Sequence, residues 1–265
     1  MESNNPASHL HGEHAATGIT AMLSLSAPAR GWVLTLTVYL FIGFLTQGFA
    51  GPRDLIGLRA LEVTYYPYDA ELADLDSDQD LDLVVVNHGI FANNQWNACA
   101  VHVFFNDGVA NFGEPTVYDL TPGAPNRFCL ADLDGDQDLD LVVPLTAPDQ
   151  LQVMLNDGDG RFLMGNLIAV QADPVAVVAA DFNGDQELDL ASADQFGFGI
   201  SVTFNQGLAQ FGPAQAYPLG DLINGIQAGD VDEDDDIDLI AFANDDDFLL
   251  RNNGNGVFAV IDILE

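Results

Sequence analysis

An all-β fold, propeller-like, with about four blades of four antiparallel strands in an incomplete or open ring, is what three features of this sequence predict. An acidic stretch recurs four times, from Asp74, Asp132, Asp181 and Asp230, at intervals of 58, 49 and 49 residues. An asparagine-led turn recurs in fixed phase with it, from Asn106, Asn156, Asn205 and Asn252. Between them lie short β-branched and aromatic runs with no competing helical period after residue 51.

Each unit divides the same way. One apolar run precedes the acidic stretch, as in VAVVAA, and another follows it at once, as in DLVVV. A third leads into the turn, as in VHVFF or LQVML, and a fourth follows it, as in TVYDL or LIAVQ. Asn-Asp-Gly and Asn-Asn-Gly suit a hairpin, because Asn and Gly tolerate positive φ. Four antiparallel strands per unit is the make-up of a propeller blade. The units run over about 66–119, 120–171, 172–219 and 220–264, with one extra strand near LRALEVTYY. The step from the ninth acidic-loop position to the next asparagine is 24, 16, 16 and 14 residues, so the first unit carries an insertion within HGIFANNQWNACA. Phe112, Phe162, Phe211 and Phe258 recur at one turn position and are expected to pack between units.

Residues 1–50 read differently. A polar start is followed by Arg30 and an apolar core over about 32–49 that ends in small residues. This predicts a signal peptide cleaved near Ala50, hence a secreted or periplasmic protein, with an uncleaved membrane anchor as the alternative. A start at Met22 would give a signal of more usual length.

Charge narrows the partners. The formal net charge is −35, all six basic residues are arginine, and lysine is absent. Nucleic acid is excluded by that balance, and anionic lipid is disfavoured. About half of the 41 acidic residues crowd into the four loops. Numbered from the first aspartate, positions 1, 3, 5, 7 and 9 are Asp74, Asp76, Asp78, Asp80, Asp82; Asp132, Asp134, Asp136, Asp138, Asp140; Asp181, Asn183, Asp185, Glu187, Asp189; and Asp230, Asp232, Asp234, Asp236, Asp238. Position 10 is leucine throughout, at Leu83, Leu141, Leu190 and Leu239. Unit charges about 4 Å apart repel by several kcal/mol at a surface dielectric of roughly 20, so such a turn needs a cation. Calcium suits it: six to eight oxygens in loose geometry, a backbone carbonyl among them. Zinc would want His or Cys, which these loops lack. An EF-hand would want flanking helices and Glu at position 12, where Val85, Val143, Ser192 and Ala241 stand. The candidate cofactor is therefore structural Ca²⁺, up to four ions.

With D-x-[DN]-x-D-x-x-x-D-L after a short strand and N-D-G-x-G-x-F later in the unit, the chain resembles the FG-GAP or VCBS-type repeat, over roughly residues 58 to 264. The resemblance implies β-propeller blades, as in integrin α-chain heads and many exported bacterial proteins, with calcium in the loop joining the first two strands of a blade. The bacterial variety is the closer likeness. Position 6, often glycine in that family, is Gln79, Gln137, Gln186 and Asp235 here.

No catalytic constellation is visible. Outside the first fifty residues the histidines are His88 and His102, and no serine sits in a nucleophile elbow. The leading expectation is an exported, non-catalytic module for extracellular protein or polysaccharide binding or adhesion, able to self-associate through open blade edges. A calcium-dependent polysaccharide lyase or hydrolase, or an accessory piece of one, is the alternative, with Arg59, Arg127, Arg161 and Arg251 as the arginines expected in the folded part. Within the insertion, Phe91, Asn93, Asn94 and Trp96 could meet a sugar or a protein, or Trp96 could simply cover a blade edge. For Cys99 and Cys129 both a disulfide and two thiols stay open.

Overall fold

The computed structural model describes residues 22–25, 36–39, 60–62 and 66–264, and every regular element among them is a strand. Strands β1 (Met22–Leu25), β2 (Leu36–Tyr39) and β3 (Ala60–Glu62) pair antiparallel in that order. The first two fall inside the expected leader, whose cleavage position near Ala50 lies outside the described residues. The third is the extra strand expected before the first repeat. No helix of the described residues is long and apolar enough to cross a membrane.

Four sheets of four antiparallel strands follow, one per repeat. The first holds β4 (Pro67–Ala73) and β5 (Asp82–Asn87), then a two-stranded hairpin of β6 (Ile90–Ala92) and β7 (Gln95–Asn97), then β8 (Ala100–Phe104) and β9 (Thr116–Asp119). The hairpin is the inserted segment. The second blade is β10 (Cys129–Ala131), β11 (Asp140–Leu145), β12 (Gln150–Asn156) and β13 (Phe162–Ala169). The third is β14 (Pro174–Ala180), β15 (Asp189–Asp194), β16 (Gly199–Thr203) and β17 (Gln215–Pro218). The fourth is β18 (Ile223–Gly229), β19 (Asp238–Ala243), β20 (Asp247–Arg251) and β21 (Ala259–Leu264). Each is a simple meander, and none closes on itself, so the whole is an open propeller-like arrangement.

Burial explains the sequence pattern. The second strand of each of the first three blades is buried along its whole length. It is covered on both faces, so no polar-apolar alternation is seen: β5 and β11 read as near-continuous apolar runs after their first aspartate, while β15 carries small and polar residues. Val84, Val86, Val101 and Val103 of the first blade pack with Leu141, Val143, Met154 and Phe162 of the second. Val142, Leu151 and Val153 pack with Val177 and Leu190 across the next junction. Ala191, Ala193, Ile200 and Val202 pack with Leu239, Ala241, Leu250 and Phe258 across the third. Phe162, Phe211 and Phe258 lie in or against these inter-blade cores, as expected, whereas Phe112 packs with Leu83, Val85 and Phe104 of its own blade and with Leu61 of β3. The arc is tight enough for Arg127 Nη1, beside the second blade's first strand, to donate to the Asn224 carbonyl on the fourth blade's first strand at 3.2 Å.

The last blade differs because nothing described packs on its far side. Phe242 on β19 is 36% exposed and Val231 is 47% exposed, whereas its equivalents Leu75, Leu133 and Phe182 are no more than 2% exposed. Both cysteines are free thiols, with burial pushing Cys99 up to about 11 and Cys129 up to about 12.

Among the described residues, one buried acidic group lies outside the acidic loops. Asp194 on β15 is fully buried and accepts hydrogen bonds from Ser192 Oγ at 2.8 Å and Ser201 Oγ at 2.5 Å. Burial, only partly offset by those donors, raises its carboxyl from 3.8 to about 7. A folded-state pKa above the unfolded value favours the protonated form in the native state, so this contribution to stability is complete below about pH 4 and is lost as pH rises through 7. Asp194→Asn, which cannot ionise, should lose less stability than the parent chain between pH 5 and pH 8. Urea unfolding at the two pH values checks this; parallel losses would contradict it.

Candidate cation-binding loops

The four loops share one backbone path, set by the position-1 carboxylate. Its Oδ2 accepts the position-6 N–H in every loop: Gln79 to Asp74 at 3.0 Å, Gln137 to Asp132 at 3.0 Å, Gln186 to Asp181 at 2.8 Å and Asp235 to Asp230 at 3.1 Å. Its Oδ1 takes the position-5 N–H in the first, third and fourth loops, each at 3.2 Å. Position 6 is left-handed throughout, with φ of 75, 78, 74 and 69° at Gln79, Gln137, Gln186 and Asp235. An L-residue there costs roughly 1–2 kcal/mol, and the hydrogen bond to position 1 holds the backbone in that conformation.

This path gathers the acids at positions 1, 3 and 5. Ligand-type oxygens of Asp74, Asp76 and Asp78, of Asp132, Asp134 and Asp136, and of Asp230, Asp232 and Asp234 lie within 4.8 Å of one another in each set. The buried Oδ1 of Asp76, of Asp134 and of Asp232 has no hydrogen-bond partner. Burial first, and then the neighbouring carboxylates, raises the pKa of all three. In the third loop Asn183 presents an amide oxygen at position 3, which accepts the Asp185 N–H at 2.9 Å. In the fourth, the Arg251 guanidinium pairs with Asp232.

Positions 7 and 9 are placed elsewhere. The side chains of Asp80, Asp138 and Asp236 stand over the turn glycines, where a Cβ on Gly108, Gly158 or Gly254 would come within 2.5, 2.7 and 2.6 Å of a carboxylate oxygen. Glu187, one carbon longer, leaves Gly207 with open space. At position 9, Asp82, Asp140, Asp189 and Asp238 are at most 1% exposed. One oxygen of each accepts the position-2 N–H of its own loop, from Leu75, Leu133, Phe182 or Val231. The other accepts the N–H of the turn asparagine, from Asn106, Asn156, Asn205 or Asn252. Position 9 thus ties the loop to the turn. Burial outweighs these donors and raises Asp140 and Asp189 to about 6.

The turn asparagine has a role that sequence reasoning missed. Asn156 Nδ2 donates to the Leu75 carbonyl of the preceding blade at 2.8 Å, Asn205 to Leu133 at 2.8 Å and Asn252 to Phe182 at 2.7 Å. The same amides reach the position-8 carbonyls of Leu139, Leu188 and Ile237 in their own loops. Each is therefore a latch between consecutive blades. The signal was present: asparagine holds this position in all four repeats, while the next residue varies as Asp107, Asp157, Gln206 and Asn253.

Replacing Asn205 by alanine would strand the buried Leu133 carbonyl and the part-buried Leu188 carbonyl, at about 1–3 kcal/mol for a fully buried group. Asn205→Ala is expected to destabilise by about 2 kcal/mol or more in denaturant unfolding. Asn106→Ala, which removes a bond to Leu81 within its own blade, should cost less. Equal costs would contradict the latch.

No curated protein sequence matches the chain. Among solved structures, a lectin of Agrocybe aegerita, described by its specific recognition of non-reducing terminal N-acetylglucosamine, is similar at 21% identity and a TM-score of 0.58, over 94% of this chain and 67% of the lectin. The biofilm matrix protein Bap1 of V. cholerae is similar at 17% identity and a TM-score of 0.44, over 74% of this chain and 30% of Bap1. At these identities the likeness to the lectin is one of fold. Residues 74–143, from the first loop into the second blade, match the family model of the FG-GAP-like repeat.

Proposed function

We propose that this chain is an exported, non-catalytic interaction module whose blades are stabilised by calcium in the acidic loops. The observation that carries the reading is the orphaned position-3 oxygen. The same buried Oδ1 lacks a partner in three separate loops, at Asp76, Asp134 and Asp232. A buried carboxylate oxygen without a donor is costly, and its recurrence at one phase of a repeat favours a common ligand over an accident of packing. Oxygen-only donors in a loose cluster suit a hard cation, and calcium more than magnesium, which demands a stricter octahedron. Positions 1, 3 and 5 would hold the ion, with Asn183 as the neutral member of the third loop. Position 9 would act through the frame it builds.

The coarser part of the reading is a repeat module with the FG-GAP-like signature over residues 74–143. Export accords with the apolar segment before the repeats and with the family resemblance. Extracellular protein or polysaccharide is the expected partner, since the charge of −35 opposes nucleic acid and anionic membranes. His88 accords with a binding rather than catalytic role: it is held against the Pro125 carbonyl at 3.0 Å, and burial lowers its pKa.

A site filled at a hundredfold excess over its Kd stabilises the fold by about 2.7 kcal/mol. At this size ~1 kcal/mol shifts Tm by about 2–4 °C. Chelation is therefore expected to lower the Tm by about 5 °C or more, with calcium restoring it and magnesium doing so poorly. The pair Asp76→Asn and Asp134→Asn should lose much of that shift. A Tm indifferent to chelator and calcium would overturn the reading.

A further inference from the structure

The first blade carries an aromatic cleft that the other repeats lack. After β5 the chain turns at Gly89 (φ +76°), where a Cβ would meet the Asn97 carbonyl oxygen at 2.4 Å and Cys99 Sγ at 2.7 Å. The inserted hairpin is therefore pressed onto its stem. Asn93 and Asn94, at φ 55 and 63°, close it with two consecutive left-handed residues, the requirement of a tight hairpin turn. The Asn97 amide donates to the Ala92 carbonyl at 3.2 Å and to the Gln95 carbonyl at 2.9 Å, and the Cys99 thiol donates to the His88 carbonyl at 3.4 Å. The result is a braced shelf.

Aromatic rings line that shelf. Phe91 and Trp96 are cross-strand partners with ring centroids 5.3 Å apart. Trp96 meets the His88 ring edge-on with centroids 4.4 Å apart, and the Tyr68 ring centroid lies 5.2 Å from that of His88. With Tyr66 and Ile90 these residues line an open cleft of about 490 Å³, within the range of small-ligand sites, about 300–1,000 Å³. Trp96 also packs against the inter-blade core, so it anchors the cleft as well as lining it. Phe91 is 61% exposed and Tyr68 49%, so a large apolar area stays at the surface of a strongly charged protein.

The chemistry of the lining selects a ligand. Among the described residues, no carboxylate or arginine lines the cleft. His88 Nδ1 lies 3.0 Å from the Pro125 carbonyl and so carries the ring proton, which leaves Nε2 as a neutral acceptor. Phenol hydroxyls and the indole N–H add polar tips to apolar ring bodies. Flat rings beside hydroxyl-directed groups match a pyranose, which has an apolar C–H face and a rim of hydroxyls. The charge of −35 on the chain repels uronates and sulfated sugars. Because β5 begins at the acidic loop and ends at Asn87, just before His88, the cleft lies at the opposite end of that strand from the cation cluster.

We propose that the cleft lined by Tyr66, Tyr68, His88, Ile90, Phe91 and Trp96 binds an uncharged pyranose unit of a glycan. This rests on the interaction-module reading and gives that module its contact site. The test is calorimetric titration of the full chain in calcium with chitotriose, cellotriose, mannotriose, trigalacturonate and a tyrosine- and proline-rich peptide. At least one neutral trisaccharide is expected to bind with a Kd below about 1 mM, and trigalacturonate about tenfold more weakly or not at all. Phe91→Ala and Trp96→Ala should each weaken the neutral sugar about tenfold, while the calcium-dependent rise in Tm persists in Phe91→Ala. No binding by any neutral probe, binding untouched by both substitutions, or binding of the peptide alone would overturn the proposal and leave the calcium reading standing. Sugar binding without any calcium effect on Tm would do the reverse.

Discussion

The constraint on which the rest of the structure depends is the crowding of like charges at positions 1, 3 and 5 of each acidic loop. Position 2 lies between two of these acids, and its residue is the one that meets the next blade. Leu75, Leu133 and Phe182 are buried in that contact. Their carbonyls accept the asparagine latch of the following blade, and their N–H groups are held by the buried position-9 carboxylates. The loop cannot open without disturbing the junction between blades. A cation that quiets the repulsion therefore acts on the stacking of sheets as well as on a surface turn, and this links an electrostatic problem at the rim to packing in the interior.

The fourth blade shows what happens where the series of contacts stops. Phe105, Leu155 and Phe204 precede the turn asparagine in the first three repeats, and Phe105 and Phe204 lie against Gly160 and Gly256 of the next blade. Arg251 takes the equivalent place in the fourth and turns back to Asp232 in its own loop. A guanidinium is tolerable where no described neighbour covers the face, and it partly neutralises the most acidic of the four loops. The four sites are therefore unequal: two with three carboxylates, one with Asn183, and one that already holds an arginine.

Much of this was legible in the sequence. The period, the strand order, the placement of the acidic loops between the first two strands, and the packing of Phe162, Phe211 and Phe258 between blades follow from local pattern repeated along the chain. The latch was not legible as such, because Asn156 and its carbonyl acceptor at Leu75 are 81 residues apart and the acceptor is backbone. The burial of the position-9 aspartates was hidden too, since carboxylates in an acidic run look alike until the hydrogen bonds of one of them are seen. The inserted segment offered Phe91 and Trp96 as an interaction surface, but Tyr66 and Tyr68, around the start of β4, and His88, just after β5, reach the same cleft only because the fold brings them to the hairpin. Strands β1 and β2 fall in a segment whose apolar run reads more readily as a leader.

The most direct test of the central claim is to locate the ion. Crystals of the repeat domain grown in calcium and measured for anomalous scattering are expected to show peaks about 2.3–2.6 Å from the position-1, -3 and -5 oxygens of the first and second loops, including Oδ1 of Asp76 and Asp134. Loops that keep the same backbone path at saturating calcium with no peak at any of them would contradict the account.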